Sequence, residues 1–442
     1  MNRVTFAMVL LSAASCATGL AALQDYEKSM PTTTPSPGGP AATTPELGAI
    51  GSESMLGDIP GLTVTTPPPH WIGPGLRLTY HMMTGHTPHG SHEYIPDKEG
   101  GWVDRNGNRY RKEKLEGGGS HGLLQCNVVG MDQRKAAIQM LFYLYEGLNT
   151  AEPMQKIETG FVAQAGTGGD LWLHPDALQA LLQKHGNQPP PDYGQAGVWV
   201  SRIQKQIEQA TYDAVLIAFM GQRGSRKTWI YDLASGVLLY SSEISQIPSK
   251  VAHGAQVQPG GCMAKFTTFK GSRTLGVPWA QQPAPAWIAQ ARTFRYRGSF
   301  QVNIPGSPPT PFPVDATITV AERGADWLRF DVALGNQAPG ASSEMTARVA
   351  GNHMLCGSWI PPTAMGNLRA GQVLDTDPLT RVTVQVGAAD AQYVTLVHNS
   401  PRQQIQYTYR RQDGLLVRTL SQDRFNQLNM SNQIDLSLVS MQ

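Results

Sequence analysis

The chain has 442 residues, with 35 Lys plus Arg against 33 Asp plus Glu and a formal charge of +2. That near-neutral balance gives no basic surface on which to expect a nucleic acid. Charged residues make up 15%, against roughly 25% in an ordinary globular domain. Gly (46) and Pro (32) are abundant, and such turn-rich, weakly charged composition favours β architecture outside the cytoplasm.

In chain order, residues 1–23 come first. Asn2 and Arg3 precede the apolar run Val4–Leu11, followed by small residues, the pattern of a secretory signal. Three outcomes stay open. Gly19-Leu20-Ala21 fits a small-x-small cleavage site. Ala13-Ala14-Ser15-Cys16 resembles a lipobox, with Cys16 as the lipidated residue. Residues 4–23 are also uncharged and just long enough to remain as a membrane anchor. The expectation is therefore export to periplasm, cell envelope or extracellular space, with membrane contact through the N-terminus alone.

Residues 24–70 hold the tract PTTTPSPGGPAATTPELG and the run Thr66-Pro67-Pro68-Pro69. A stretch this poor in apolar residues cannot offset its ordering entropy, so it is expected to be a disordered linker.

Beyond it the chain repeats. WIGPGLRLTY (71–80) aligns with WIAQARTFRY (287–296), WLHPDALQAL (172–181) with WIPPTAMGNL (359–368), and WIYDLASGVLLY (229–240) with YTYRRQDGLLVR (407–418). The separation shrinks from one anchor to the next, so the first copy carries extra residues, placed at 81–120. The copies are read as 71–279 and 287–442, joined by a Pro-rich linker at 280–286. Alternating apolar positions (Phe300, Val302, Ile304; Ala316, Ile318, Val320; Leu328, Phe330, Val332; Val382, Val384, Val386) read as half-buried strands. Asn106-Gly107, Ser235-Gly236 and Asp413-Gly414 mark turns. A helix is expected over His174–His185, with Leu178, Leu181 and Leu182 on one side. The expected fold class is mainly β: two tandem copies of an antiparallel curved-sheet or partial-barrel module, each with a short helix, after the disordered tail. Within the insertion, a two-residue turn at Asn106-Gly107 would set Val103 opposite Tyr110 and Trp102 opposite Arg111.

The Tyr-x-x-x-(Ser/Asp)-Gly-(Val/Leu)-Leu turn at 231–238 and 409–416 resembles that of exported carrier lipoproteins of the lipoprotein-chaperone type. The likeness covers one turn per copy and brings no functional residue with it.

Candidate chemistry is sparse. His81, His86, His89 and His92 lie near Met82 and Met83. Imidazole with thioether suits zinc or copper, while the bland alternative is a solvated Gly/Pro-rich loop. Asp104–Asn108 has its Gly at the fourth position, where a calcium loop of EF type needs it at the sixth, and reads as a hairpin. Gly117-Gly118-Gly119-Ser120 lacks the Lys of a phosphate loop. His-Glu-x-x-His does not occur, and no catalytic residue is assigned. Cys16, Cys126, Cys262 and Cys356 form no CxxC pair, and an oxidising compartment permits one disulfide among them. Trp71 with Trp287, and Trp172 with Trp359, occupy equivalent places, either as core plugs or lining an apolar cleft. The leading expectation is an exported non-enzymatic binding or scaffold protein holding an apolar ligand or a protein partner. The alternatives are an extracytoplasmic metal-binding protein using the histidine insertion, or an enzyme of unrecognised type.

Overall fold

A computed structural model describes residues 66–442 apart from 87–94, 97–101, 104–108, 111–120, 146–152, 191–196, 221–225, 248–249, 252–256, 259–260, 304–305, 307, 337–344 and 426–429. The segment 1–23 expected as a signal, Cys16, most of the expected linker 24–70, His89 and His92 lie outside the described residues.

The chain opens with β1 (Leu76–His86). Three two-residue strands follow, β2 (Ile95–Pro96), β3 (Trp102–Val103) and β4 (Arg109–Tyr110), which form a small sheet of their own. Next come β5 (His121–Met131), β6 (Lys135–Tyr145), β7 (Pro153–Gln164), helix α1 (Pro175–His185), β8 (Gly197–Ile207), β9 (Ala210–Met220), β10 (Arg226–Asp232) and β11 (Leu238–Ile247). A separate pair, β12 (Lys250–Val251) and β13 (Val257–Gln258), precedes β14 (Gly261–Thr274). The second half begins with a 3-10 turn at Ala286–Ala289. It continues through β15 (Thr293–Asn303), β16 (Thr310–Arg323), β17 (Trp327–Asn336), β18 (Met345–Gly351), the one-turn helix α2 (Pro362–Met365), β19 (Val373–Thr376), β20 (Thr383–Ala389), β21 (Tyr393–Asn399), β22 (Gln403–Arg410), β23 (Leu416–Phe425) and β24 (Met430–Met441).

The two halves follow one path. The nine-stranded sheet has the order β7-β6-β5-β1-β14-β11-β10-β9-β8, and the ten-stranded sheet β18-β17-β16-β15-β24-β23-β22-β21-β20-β19. In each, the first strand is central and three strands step out to one edge. The chain then passes through the helix to the other edge and returns until the last strand pairs with the first. The described pairings are antiparallel, and neither sheet closes into a barrel.

Helix α1 forms where expected because its ends are specified locally. Pro175 sits in the first turn, the His174 side chain accepts from Asp176 N, and Gly186 closes the helix at φ 69°. These are the residues that each terminus favours. Its Leu178, Leu181 and Leu182 are buried in the first core.

Two details of the insertion differ from the expectation. β1 runs on to His86, pairing with β14 along its length, so residues 81–86 belong to the central strand of the first sheet. In the small sheet Trp102 faces Tyr110 and Val103 faces Arg109. That register is one residue away from a turn at Asn106-Gly107, because five residues, 104–108, separate the paired strands. An odd connection cannot close the two-residue turn that Asn-Gly favours.

The sheets pack against each other. Val129 and Ala137 of the first share a core with Phe294, Trp327, Phe330 and Val349 of the second. Leu275, Val277 and Trp279 share another with Val384, Leu396 and Tyr409. Edge strand β7 lies against edge strand β18, and Thr159 Oγ1 donates to the Ala347 carbonyl at 3.0 Å. The approach needs glycine: a Cβ on Gly160 would sit 2.6 Å from Val349 N, and one on Gly351 2.3 Å from the Val129 carbonyl oxygen.

Candidate functional site

The paired tryptophans define one end of each sheet. Trp71 Nε1 donates to the Ser235 carbonyl and Trp287 Nε1 to the Asp413 carbonyl, both at 2.8 Å. Trp172 bridges to Val237 and Trp359 to Leu415. Gly236 and Gly414 turn at φ 78° in both copies. The Gly236 carbonyl accepts from Leu173 N and the Gly414 carbonyl from Ile360 N. Tyr231 Oη donates to the Asp170 carbonyl and Tyr409 Oη to the Gly357 carbonyl. The strand register slips just before Tyr80, Tyr231, Tyr296 and Tyr409 alike. Sequence similarity between the copies is therefore concentrated where one knot of hydrogen bonds ties entry segment, turn and helix together. Trp172 and Trp359 are buried, and their Nε1–H groups donate to the Ala165 carbonyl and to Asn352 Oδ1.

The histidine set is divided. His81 is half-buried on β1, and His86 ends the same strand. Among the described residues no three His, Cys, Asp or Glu side chains gather as a metal set. Cys126 and Cys356 are buried, and the structure does not join them in a disulfide. Burial pushes the Cys126 thiol far above its ordinary range, which leaves it unreactive.

Between the sheets runs a buried polar network with no counterpart in the sequence reading. Asp377 Oδ2 accepts from Arg77 at 2.8 Å, from Gln125 at 2.9 Å and from Arg273 at 2.9 Å. Its Oδ1 accepts from Leu379 N, Thr380 N and Thr380 Oγ1. Arg273 also grips Asp375 through two bonds of 2.7 Å. Arg77 continues through Asn127, Gln139 and Glu158. Burial pushes the Asp377 carboxyl up, but the Thr380 N–H and the Arg77 and Arg273 guanidinium groups outweigh it and hold it well below the carboxylate range. With both Asp377 oxygens saturated, this network reads as a lock between the sheets rather than a site awaiting a ligand.

A different arrangement occupies the inner face of the second sheet. Gln403 (β22) faces Asp423 (β23), and Asp423 faces Asn432 (β24). Side chains of directly opposed residues share a face, so the three form one row across adjacent strands. Gln403 is 6% exposed, Asp423 9% and Asn432 3%. Gln403 hydrogen-bonds Asp423. That leaves Gln403 Oε1, Asp423 Oδ1 and both amide atoms of Asn432 without a partner. Burial pushes the Asp423 carboxyl up to about 6, opposed by the Gln403 bond. Apolar side chains lie beside the row, with Ile405 and Phe300 buried and Val302, opposite Asn432, and Ile434 partly accessible, while His398 and Ser421 share the face opposite Ile405. Six residues along β22 separate Gln403 from Tyr409, or about 20 Å at the rise of an extended strand. The row therefore lies at the end of the sheet away from the tryptophan knot.

Buried polar atoms are normally paired, and each unpaired one costs about 1–3 kcal/mol. Four together make a concentration of unmet hydrogen-bonding capacity in one row of the described structure. The strand pattern held a partial signal. In QQIQYTYR (403–410) Gln403 falls in register with inward Ile405, Tyr407 and Tyr409. Asp423 and Asn432 sit in stretches whose polarity gives no such contrast.

Comparison with known proteins adds little here. No family profile matches the chain, nor does any curated protein. Among solved structures, a protein of unknown function of the DUF3598 family from Nostoc punctiforme aligns over 83% of this chain and 96% of its own, at 10% identity and a TM-score of 0.14. A candidate outer membrane protein from Bacteroides fragilis aligns over 82% and 96%, at 6% identity and a TM-score of 0.11. Likeness at that level bears on neither fold nor function.

Proposed function

We propose that this chain is an exported, non-enzymatic binding protein whose second sheet holds a small ligand on its inner face. The ligand has an apolar body laid against Phe300, Val302 and Ile434 and a polar head set against Gln403, Asp423 and Asn432. The observation that carries this reading is the row of four unpaired polar atoms on the inner face of the second sheet. A ligand head that satisfies them removes a desolvation cost already present in the free protein, which is the general means by which a mostly apolar site gains orientation and specificity. Export is supported by the apolar run at 4–11 with its small-residue follow-on, and the linker at 24–70 would hold the folded part off a surface.

The test is organic extraction of protein purified from its native host, followed by mass spectrometry, with Asn432→Leu as the control. A species that leaves with the wild-type protein and is lost from the variant supports the reading. Equal recovery from both places any bound molecule elsewhere and overturns it.

A further inference from the structure

Resting on that reading, we infer that the ligand's head is a hydrogen-bond-donating cation, a primary ammonium or an amidinium, carried on an apolar tail. The argument starts from the balance of unpaired atoms. Gln403 Oε1, Asp423 Oδ1 and Asn432 Oδ1 accept, while Asn432 Nδ2 alone donates. Three acceptors to one donor call for a head that is mostly donor. A carboxylate or phosphate head would meet three oxygen atoms of like polarity, which excludes anions. A hydroxyl would satisfy one acceptor and leave the others.

Charge sharpens the choice. Asp423 is the ionisable member of the row, and the influences on its carboxyl are burial and the neutral Gln403 amide. Among the described residues no arginine or lysine acts on it as Arg77 and Arg273 act on Asp377. The second sheet thus carries one buried aspartate fully neutralised by the protein and another left for something else to neutralise. A buried carboxylate regains its lost solvation best from a charge-assisted donor. The cross-strand geometry suits a compact head, since directly opposed side chains on neighbouring strands lie about 5 Å apart, a span that one ammonium group bridges with its three N–H bonds. The matching positions of the first sheet do not repeat the row. Counting from the equivalent turns and slips, Asp423 corresponds to Ser245 and Asn432 to Met263, so the selectivity belongs to the second copy alone.

Four probes of equal chain length, n-octylamine, 1-octanol, octyltrimethylammonium and octanoate, would be titrated calorimetrically into the full chain. Calcium chloride would be run alone as a further arm. Octylamine is expected to bind about tenfold or more tighter than octanol, one charge-assisted bond being worth that much. Octyltrimethylammonium, which has charge but no N–H, should fall between them, and octanoate should be weakest. Asp423→Asn, a replacement of the same shape, should bring octylamine down to the level of octanol and leave octanol unchanged. Octylamine no tighter than octanol, or octanoate equal to octylamine, would overturn the cationic head while leaving the binding site standing. Calcium binding in its own arm, lost in Asp423→Asn, would also overturn it, in favour of a metal ion. Binding of none of the four probes would remove both this inference and the reading on which it rests.

Discussion

At the residue scale, the account turns on groups whose cost in the free protein is measurable. Asp423 binds its proton more tightly folded than unfolded, its carboxyl being raised from 3.8 to about 6. The folded state therefore gains protons relative to the unfolded state between those values, and stability falls as pH rises through that window. The full penalty of about 3 kcal/mol is present above it. Asp423→Asn should raise stability at alkaline pH and leave it nearly unchanged below about pH 4. Denaturant midpoints measured across that range check this, and a variant equally or less stable at high pH would refute it. Gly236 and Gly414 form the second case. Both hold φ at 78°, and a Cβ would lie 1.8 Å from the Leu173 carbonyl oxygen in one copy and 2.1 Å from that of Ile360 in the other. Alanine at either should cost about 2 kcal/mol or more. Chemical denaturation checks it, and a cost in one copy but not the other would break the equivalence of the turns.

At the scale of elements, the two knots make a paired prediction. Trp71→Phe and Trp287→Phe each remove one indole N–H bond to a turn carbonyl and keep most of the ring. Each should cost about 1 kcal/mol. These elements also show what the sequence reveals and why. The repeat was legible at exactly those residues with no cheap substitute: an indole that must donate, a tyrosine at a register slip, a glycine at positive φ. Strand alternation was legible wherever one face is wet, as along Leu328, Phe330 and Val332. It carries less where both faces are covered. Arg77 and Thr79 alternate with Leu76, Leu78 and Tyr80, yet they too are buried. The row of Gln403, Asp423 and Asn432 escaped for the converse reason: a polar residue on an inner face resembles a solvated one until its strand partners are known.

At the scale of the whole molecule, the Arg77–Asp377–Arg273 network decides whether the sheets behave as one body. Removing one member of a buried charge network leaves the others unpaired, at about 3–5 kcal/mol. Asp377→Ala should therefore lower the melting temperature and split a single calorimetric transition into two as the sheets uncouple. A variant that melts as one unit at the wild-type temperature would show that apolar contacts alone hold the halves together. The pH sense is opposite to that of Asp423. The Asp377 carboxyl is depressed when folded, so its contribution is complete above the unfolded value of 3.8 and is lost only as pH falls below it.

The central claim, a ligand on the inner face of the second sheet, is tested most directly by photolabelling the full chain with an alkyl diazirine analogue of octylamine and mapping the adducts by mass spectrometry. The account predicts cross-links on β15, β23 and β24, around Phe300, Val302, Asp423 and Ile434, which excess octylamine suppresses. Adducts confined to the first sheet or to the exposed Val439 and Met441, and insensitive to octylamine, would contradict it.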